Sequence, residues 1–210
     1  DVYKRQMPSD RGVTGLSDSM EPADIAELSR SSALAFRASF EGEVPARGQL
    51  YWRALTLERF DGRRWSQSGY ADVPVAPQWS KAGEPLDYSI IMQPSGKRWL
   101  YALDVGEMAQ DSGRMMNDFR WQRLRPVDRP LLYQVRSWPE AMREAQAEPP
   151  GIRQALQLPE QGDPRSRAWA AELKEQYPQS DALVAAVLQH FNREPYVYTC
   201  LLYTSPSPRD

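Results

Sequence analysis

The residues Tyr51–Trp65, YWRALTLERFDGRRW, constrain this chain more than any other stretch. Tyr51–Phe60 reads as a strand. Asp61-Gly62 is a tight-turn signal, because glycine tolerates a positive φ and an aspartate can bond its own backbone. Arg63–Gln67 is expected to return as the paired strand. On a strand, Trp52, Ala54, Thr56, Glu58 and Phe60 share one face, and Tyr51, Arg53, Leu55, Leu57 and Arg59 the other. Large apolar groups stand on both faces. The pattern therefore predicts a hairpin covered on both sides, as in a sandwich.

Other strands follow the same logic. Ala33–Phe40 alternates, with Leu34, Phe36, Ala38 and Phe40 on one side and Arg37 and Ser39 on the other, which predicts a strand with one wet face. Leu86–Met92 and Lys97–Leu103 are strands joined by the turn Gln93-Pro94-Ser95-Gly96. Phe119–Leu124 and Leu131–Trp138 are strands separated by a proline-bounded loop. Ser68–Glu84 holds three prolines and reads as an irregular connection. About seven strands, with 18 Pro and 12 Gly in the chain, favour a β-sandwich or an open barrel.

The pattern changes after Trp138. Pro139–Ala147 has a short helical pattern, and the Pro149-Pro150-Gly151 run ends it. Asp163-Pro164 signals a helix start, with Asp as N-cap and Pro at the first helical position. Trp169, Leu173 and Tyr177 form one apolar stripe, and Pro178 stops the helix. Ser180 caps a second helix whose face carries Leu183, Val184, Val187, Leu188 and Phe191. Tyr196–Thr199 begins a strand. The fold class expected is α+β: a β-rich domain over 7–147, a linker over 148–163, and a helical segment over 164–199 that opens an incomplete second domain. The helices are expected to expose an apolar face. Residues 1–6 (DVYKRQ) and 200–210 (CLLYTSPSPRD) fit their neighbours poorly and read as adapter-derived, non-native ends.

Composition excludes several functions. The net charge is −2, so no global field points to nucleic acid. One His and one Cys cannot build the usual zinc constellations or an internal disulfide. No apolar run approaches the roughly 20 residues of a membrane helix. No phosphate-binding glycine motif is present, and no cofactor is expected.

Candidate chemistry is sparse. Cys200 and His190 are the nucleophile and base that a thiol enzyme needs, but His190 sits on a helix and Cys200 lies in the suspect tail without a flanking motif. Asp104 and Glu107 flank Gly106, and Asp111 and Asp118 bracket Met115-Met116, yet no spacing sets two of them across a cleft. Arg114, Arg120, Arg123, Arg125 and Arg129, interleaved with Phe119 and Trp121, mimic a nucleic-acid strip. A solvated sheet face with arginine stems over the aromatics is the plainer account. No catalytic, metal or cofactor residue is assigned. Tyr70 and Trp79, aromatics in the proline-rich connection, are the binding candidates, since loop aromatics can stack on sugars or protein partners. Both exposed on one patch would support binding, and both buried would remove its motivation.

The stretch LYWRALTLERFDGRRW resembles the extracytoplasmic region of membrane-anchored bacterial transglutaminase-like proteins of the TgpA type. SDRGVTGLSDSM and PADIAELSRS extend the likeness towards the N-terminus. LQLPEQGDPRSRAWAAELK and LQHFNREPYVYT are similar to the helix pair that opens a transglutaminase-like core. The resemblance covers roughly Met7–Thr199. It implies a parent with several membrane spans, none of them in this chain, and a location on the periplasmic side of the inner membrane. It also implies thiolate attack on a glutaminyl or peptide amide, with peptide or protein as substrate. The family's nucleophilic Cys lies further downstream in a Gly-aromatic-Cys context, followed by His and Asp, and none of that sequence is present. The chain alone is therefore expected to be inactive. A second expectation is a β module that acts as a spacer or recruits a protein or cell-wall partner.

Overall fold

The computed structural model describes residues 18–20, 32–69, 73, 77–109, 111–143 and 152–195. The chain divides into two compact units, Asp1–Gln157 and Leu158–Asp210. In the first, the strands begin with β1 (Ser19–Met20), β2 (Phe36–Phe40), β3 (Trp52–Arg53), β4 (Arg59–Phe60), β5 (Trp65–Ser66), β6 (Trp79–Ser80) and β7 (Leu86–Met92). They continue with β8 (Trp99–Leu100), β9 (Ala102–Leu103), β10 (Gly106–Met108), β11 (Arg114–Met115), β12 (Trp121–Gln122), β13 (Leu131–Ser137) and β14 (Met142–Arg143). A short helix, α1 (Ile152–Ala155), follows.

The main sheet has the order β10-β13-β7-β2 and is antiparallel throughout. Its two longest strands, β7 and β13, pair over their whole length, Leu86↔Ser137 to Met92↔Leu131. Period-2 alternation makes the sheet one-sided. Tyr88, Ile90 and Met92 of β7 and Tyr133 and Val135 of β13 are buried, whereas Ile91 and Leu132 on the other face are exposed. Phe36, Ala38 and Phe40 of β2 pack on the inner side. Trp99–Leu103, Trp121, Val127 and Ala54 complete the same core. Aromatic pairs lock the layers: Phe36 stacks on Tyr101 at 4.4 Å, and Trp52 meets Tyr88 edge-on at 5.6 Å.

The layer over this sheet is made of short pieces. β8 pairs with β12 and β12 with β11, while β3 pairs with β9. The long strand expected over Tyr51–Phe60 is broken at Ala54. β3 pairs with Ala102–Leu103, and β4 pairs with β5. Arg53 of β3 donates to acceptors in the Asp104 and Asp118 loops, whereas the far end of the segment turns back onto β5, so its two ends take different partners. The predicted turn is present: Gly62 has φ 103°, and Asp61 Oδ1 accepts the Arg63 and Arg64 N–H groups at 2.9 and 2.7 Å. The double cover expected for this hairpin is not. Phe60 and Trp65 stack on each other at 4.8 Å, and Trp65 is exposed.

Two more expectations change. Trp79–Ser80, expected as irregular chain, is a strand, and so is Met142–Arg143, which was expected to be helical. The two pair with each other. Trp138 donates its N–H to Val105 O at 2.9 Å and accepts the Ala141 N–H in a turn, and this turn directs the chain into β14 instead of a helix.

The second unit contains α2 (Pro164–Gln176) and α3 (Ser180–Arg193). Pro164 opens α2 as expected, but Asp163 is left-handed (φ 49°) and makes no side-chain cap bond. Gln179 holds the cap position of α3, so Ser180 is its first helical residue. Trp169 packs on His190 at 4.7 Å and on Phe191 at 6.3 Å. Val184, Leu188 and Phe191 remain exposed, as the amphipathic pattern predicts. The expected strand at Tyr196–Thr199 and both suspect ends lie outside the described residues.

Candidate functional site

Four arginine contacts of the β unit gather on two loops, those of Asp104 and Asp118. β9 leads into the first, where Asp104 takes a left-handed backbone (φ 31°). Its Oδ1 receives Arg53 Nη2 from β3 at 3.0 Å and Arg143 Nη1 from β14 at 2.6 Å. The second loop precedes β12, and Asp118 there binds Arg120 Nε at 2.9 Å and accepts the Thr56 hydroxyl. Arg53 also reaches Asp118 O at 3.4 Å. Arg120 is 1% exposed, so its charge depends on such partners. These carboxylates tie irregular segments to the sheet: Asp104 through two guanidinium groups on one oxygen, Asp118 through one guanidinium, a hydroxyl and the Arg120 N–H. Glu107 binds Lys81 at 2.9 Å. Asp104, Glu107 and Asp118 are thus each paired with a cation and not with one another.

At the start of the unit, Asp18 binds Lys97 Nζ at 2.8 Å and Trp99 Nε1 at 3.4 Å. Partial burial pushes its pKa up. The hydrogen bonds from Lys97 and Trp99 outweigh that and hold the carboxyl below its ordinary value.

The arginine-aromatic strip resolves differently from a nucleic-acid platform. Phe119 and Trp121 are buried, and Trp121 Nε1 donates to Gly106 O at 3.1 Å. Arg120 points inward, whereas Arg114, Arg125 and Arg129 are exposed and Arg123 is half-buried.

Trp79, one of the two binding candidates, is half-buried. Its ring packs on Trp138 at 5.7 Å, and Lys81 Nζ lies 4.4 Å from the opposing Trp138 ring centroid. Tyr70 lies outside the described residues. Met116 is buried and fills core space. His190 packs between Trp169 and Phe191, and Cys200 lies outside the described residues. Among the described residues no group of three His, Cys, Asp or Glu side chains can hold a metal, and no helix is long and apolar enough to cross a membrane.

Fold and side chains together define an α+β scaffold: a β unit whose ionic groups brace its loops, followed by a helical unit. The chain belongs to the TgpA N-terminal domain family, whose pattern matches residues 2–144. It is 55% identical over 198 residues to the protein-glutamine gamma-glutamyltransferase of Pseudomonas aeruginosa strain PAO1. That alignment covers 94% of this chain and 30% of the relative's length. The periplasmic domain of TgpA from Pseudomonas aeruginosa has the same fold, with a TM-score of 0.84 at 55% identity over 90% of this chain and 65% of that one. The same domain bound to ethylmercury gives 0.82 at 54% identity, covering 89% and 66%. The chain thus corresponds to part of a domain that is periplasmic in its Pseudomonas relative.

Proposed function

We infer that this chain is the β-rich portion, and the opening of the core, of a membrane-anchored transglutaminase-like enzyme. The single observation that carries the reading is the 55% identity over 94% of the chain to a protein-glutamine gamma-glutamyltransferase. In such an enzyme a cysteine thiolate attacks the side-chain carboxamide of a protein glutamine. The tetrahedral adduct expels ammonia, protonated by a histidine, and leaves a thioester. An amine or water then takes the acyl group. An aspartate orients the histidine.

The described residues supply no such triad. His190 is held in an aromatic cluster, and the charged loops are internally paired. The exposed face of α3, with Val184, Leu188 and Phe191, fits a helix that packs against further core. The role of this chain is therefore to position and support the catalytic region, with peptide or protein as substrate.

The test joins the chain to the segment that follows Thr199 in its gene, expected to encode Gly-aromatic-Cys and then His and Asp. Incorporation of a fluorescent primary amine into a glutamine peptide is then measured. Activity in the extended protein, lost on replacing the downstream cysteine and absent from the 210-residue chain, is the expected result. Activity of the short chain alone, or none in the extended protein, overturns the reading.

A further inference from the structure

A cavity of 530 Å³ opens beside the β11–β12 hairpin. It falls in the range of about 300–1,000 Å³ typical of ligand sites. Arg114, Arg123 and Arg125 line it together with Asp111, Trp121 and Leu124.

Backbone pairing fixes where the arginine side chains leave the sheet. Arg114 stands opposite Gln122 across the β11–β12 pair. The Arg123 N–H donates to Arg98 O at 2.7 Å, fixing the strand end from which Arg123 and Arg125 leave. Gly113 lies at the open end of the pair, beside Arg114, where a Cβ would stand 2.8 Å from Gln122 O. The two backbones approach this closely at the cavity only because residue 113 is a glycine.

The charge pattern is the informative part. Arg53, Arg120, Arg136 and Arg143 are each paired to a carboxylate. Among the described residues, no carboxylate pairs with Arg114, Arg123 or Arg125. Three guanidinium groups and one aspartate give this lining a net positive charge, on a chain whose overall net charge is −2. Concentrating cations in a concave site raises the local concentration of anionic ligands. Leu124, 83% exposed at the rim, adds an apolar contact.

We propose that the cavity beside β11–β12 is a docking site for an acidic, extended protein segment carrying an apolar residue. The guanidinium forks match carboxylates in bidentate geometry, and Leu124 offers the apolar anchor. A single-stranded nucleic acid is the weaker fit. Its bases need exposed aromatic faces to stack on, and Trp121 and Phe119 are each only 7% exposed. The inference does not depend on the transglutaminase reading.

The experiment uses the whole chain and a fluorescein-labelled hexapeptide of alternating glutamate and leucine, with anisotropy as readout at low and moderate salt. Three variants are compared: R123E/R125E in the cavity, R114E in the cavity, and R37E on the wet face of the main sheet. R37E makes the same change of charge per site elsewhere. Thermal unfolding of each variant confirms that it is folded. The expected result is saturable binding that weakens with salt. It falls at least tenfold in R123E/R125E and severalfold in R114E, and changes less than twofold in R37E. No saturable binding by the parent chain overturns the proposal. So does an equal loss in R37E, or tighter binding of a single-stranded oligonucleotide of the same charge at the same arginines.

Discussion

Arg53 and Asp104 lie 51 positions apart in the chain, and their side chains meet at 3.0 Å. The same carboxylate oxygen takes Arg143 at 2.6 Å, so one aspartate ties β3, the loop after β9, and β14 together. Arg53 is 12% exposed, so the loss of its partner leaves a largely buried cation uncompensated. D104A is expected to destabilise the β unit by about 1–3 kcal/mol. D104N is expected to cost less, because asparagine tolerates the left-handed backbone at this position. Urea unfolding midpoints of the two variants check both the loss and its order.

Asp61 gives a prediction in pH. The Arg64 N–H, and then the Arg63 N–H, hold its carboxyl below the ordinary value of 3.8. A carboxyl depressed in the fold stabilises the fold above its unfolded pKa and stops doing so as pH falls through the folded one. The turn is therefore expected to keep its full contribution above pH 3.8 and to lose it in more acid solution. Carbon-detected titration of the Asp61 carboxyl should show a midpoint under that value, and D61N should remove the transition.

Two buried phenols should respond to substitution in opposite ways. Tyr133 Oη accepts the Tyr101 N–H at 3.1 Å and donates to Tyr101 O at 2.9 Å. Y133F strands both backbone groups and is expected to cost about 1–3 kcal/mol. Tyr101 Oη is buried with no hydrogen-bond partner among the described residues. Y101F is therefore expected to be neutral or stabilising by up to about 1 kcal/mol. Denaturant unfolding of the pair measures the contrast.

The same core predicts alkaline behaviour. Burial pushes Tyr88 and Tyr101 up to about 12 from the ordinary 10.0. A group whose pKa is raised by folding contributes fully below its unfolded pKa and is lost as pH rises through the folded one. Stability should be flat up to pH 10 and then fall towards pH 12. Phenolate absorbance should rise together with unfolding, and the slope should be shallower in Y101F.

Gly106 marks a close approach inside the main sheet. A Cβ there would collide with Ser137 Oγ and stand 3.1 Å from Arg136 O. Ser137 Oγ also bonds Tyr88 Oη at 2.8 Å and Leu103 O at 2.9 Å, so it has little freedom to move. G106A is expected to cost about 1–3 kcal/mol, read as a lowered thermal midpoint. G42A, in open space, serves as the control.

Where the signal was local, the sequence was enough. Leu86–Met92 and Leu131–Ser137 declare themselves by alternation, because each buries one face only. Asp61-Gly62 declares its turn, and the α2 and α3 boundaries follow from Pro164, Pro178 and Pro195 within a residue or so. The family was legible in YWRALTLERFDGRRW and its flanking stretches. The tertiary structure decided everything that depended on partners distant in sequence. It broke Tyr51–Phe60 at Ala54, because Trp52–Arg53 pairs with Ala102–Leu103 and Arg59–Phe60 with Trp65–Ser66. It made strands of Trp79–Ser80 and Met142–Arg143, since two residues carry no periodicity and form a strand only when the other is present. It also separated one arginine run into the buried Arg120, held by Asp118, and Arg114, Arg123 and Arg125, which pair with no carboxylate among the described residues and line a cavity. Propensity and alternation act between neighbours and can be read along the chain. Ion pairing, two-residue strands and cavities exist only where the folded chain brings remote side chains within a few ångströms.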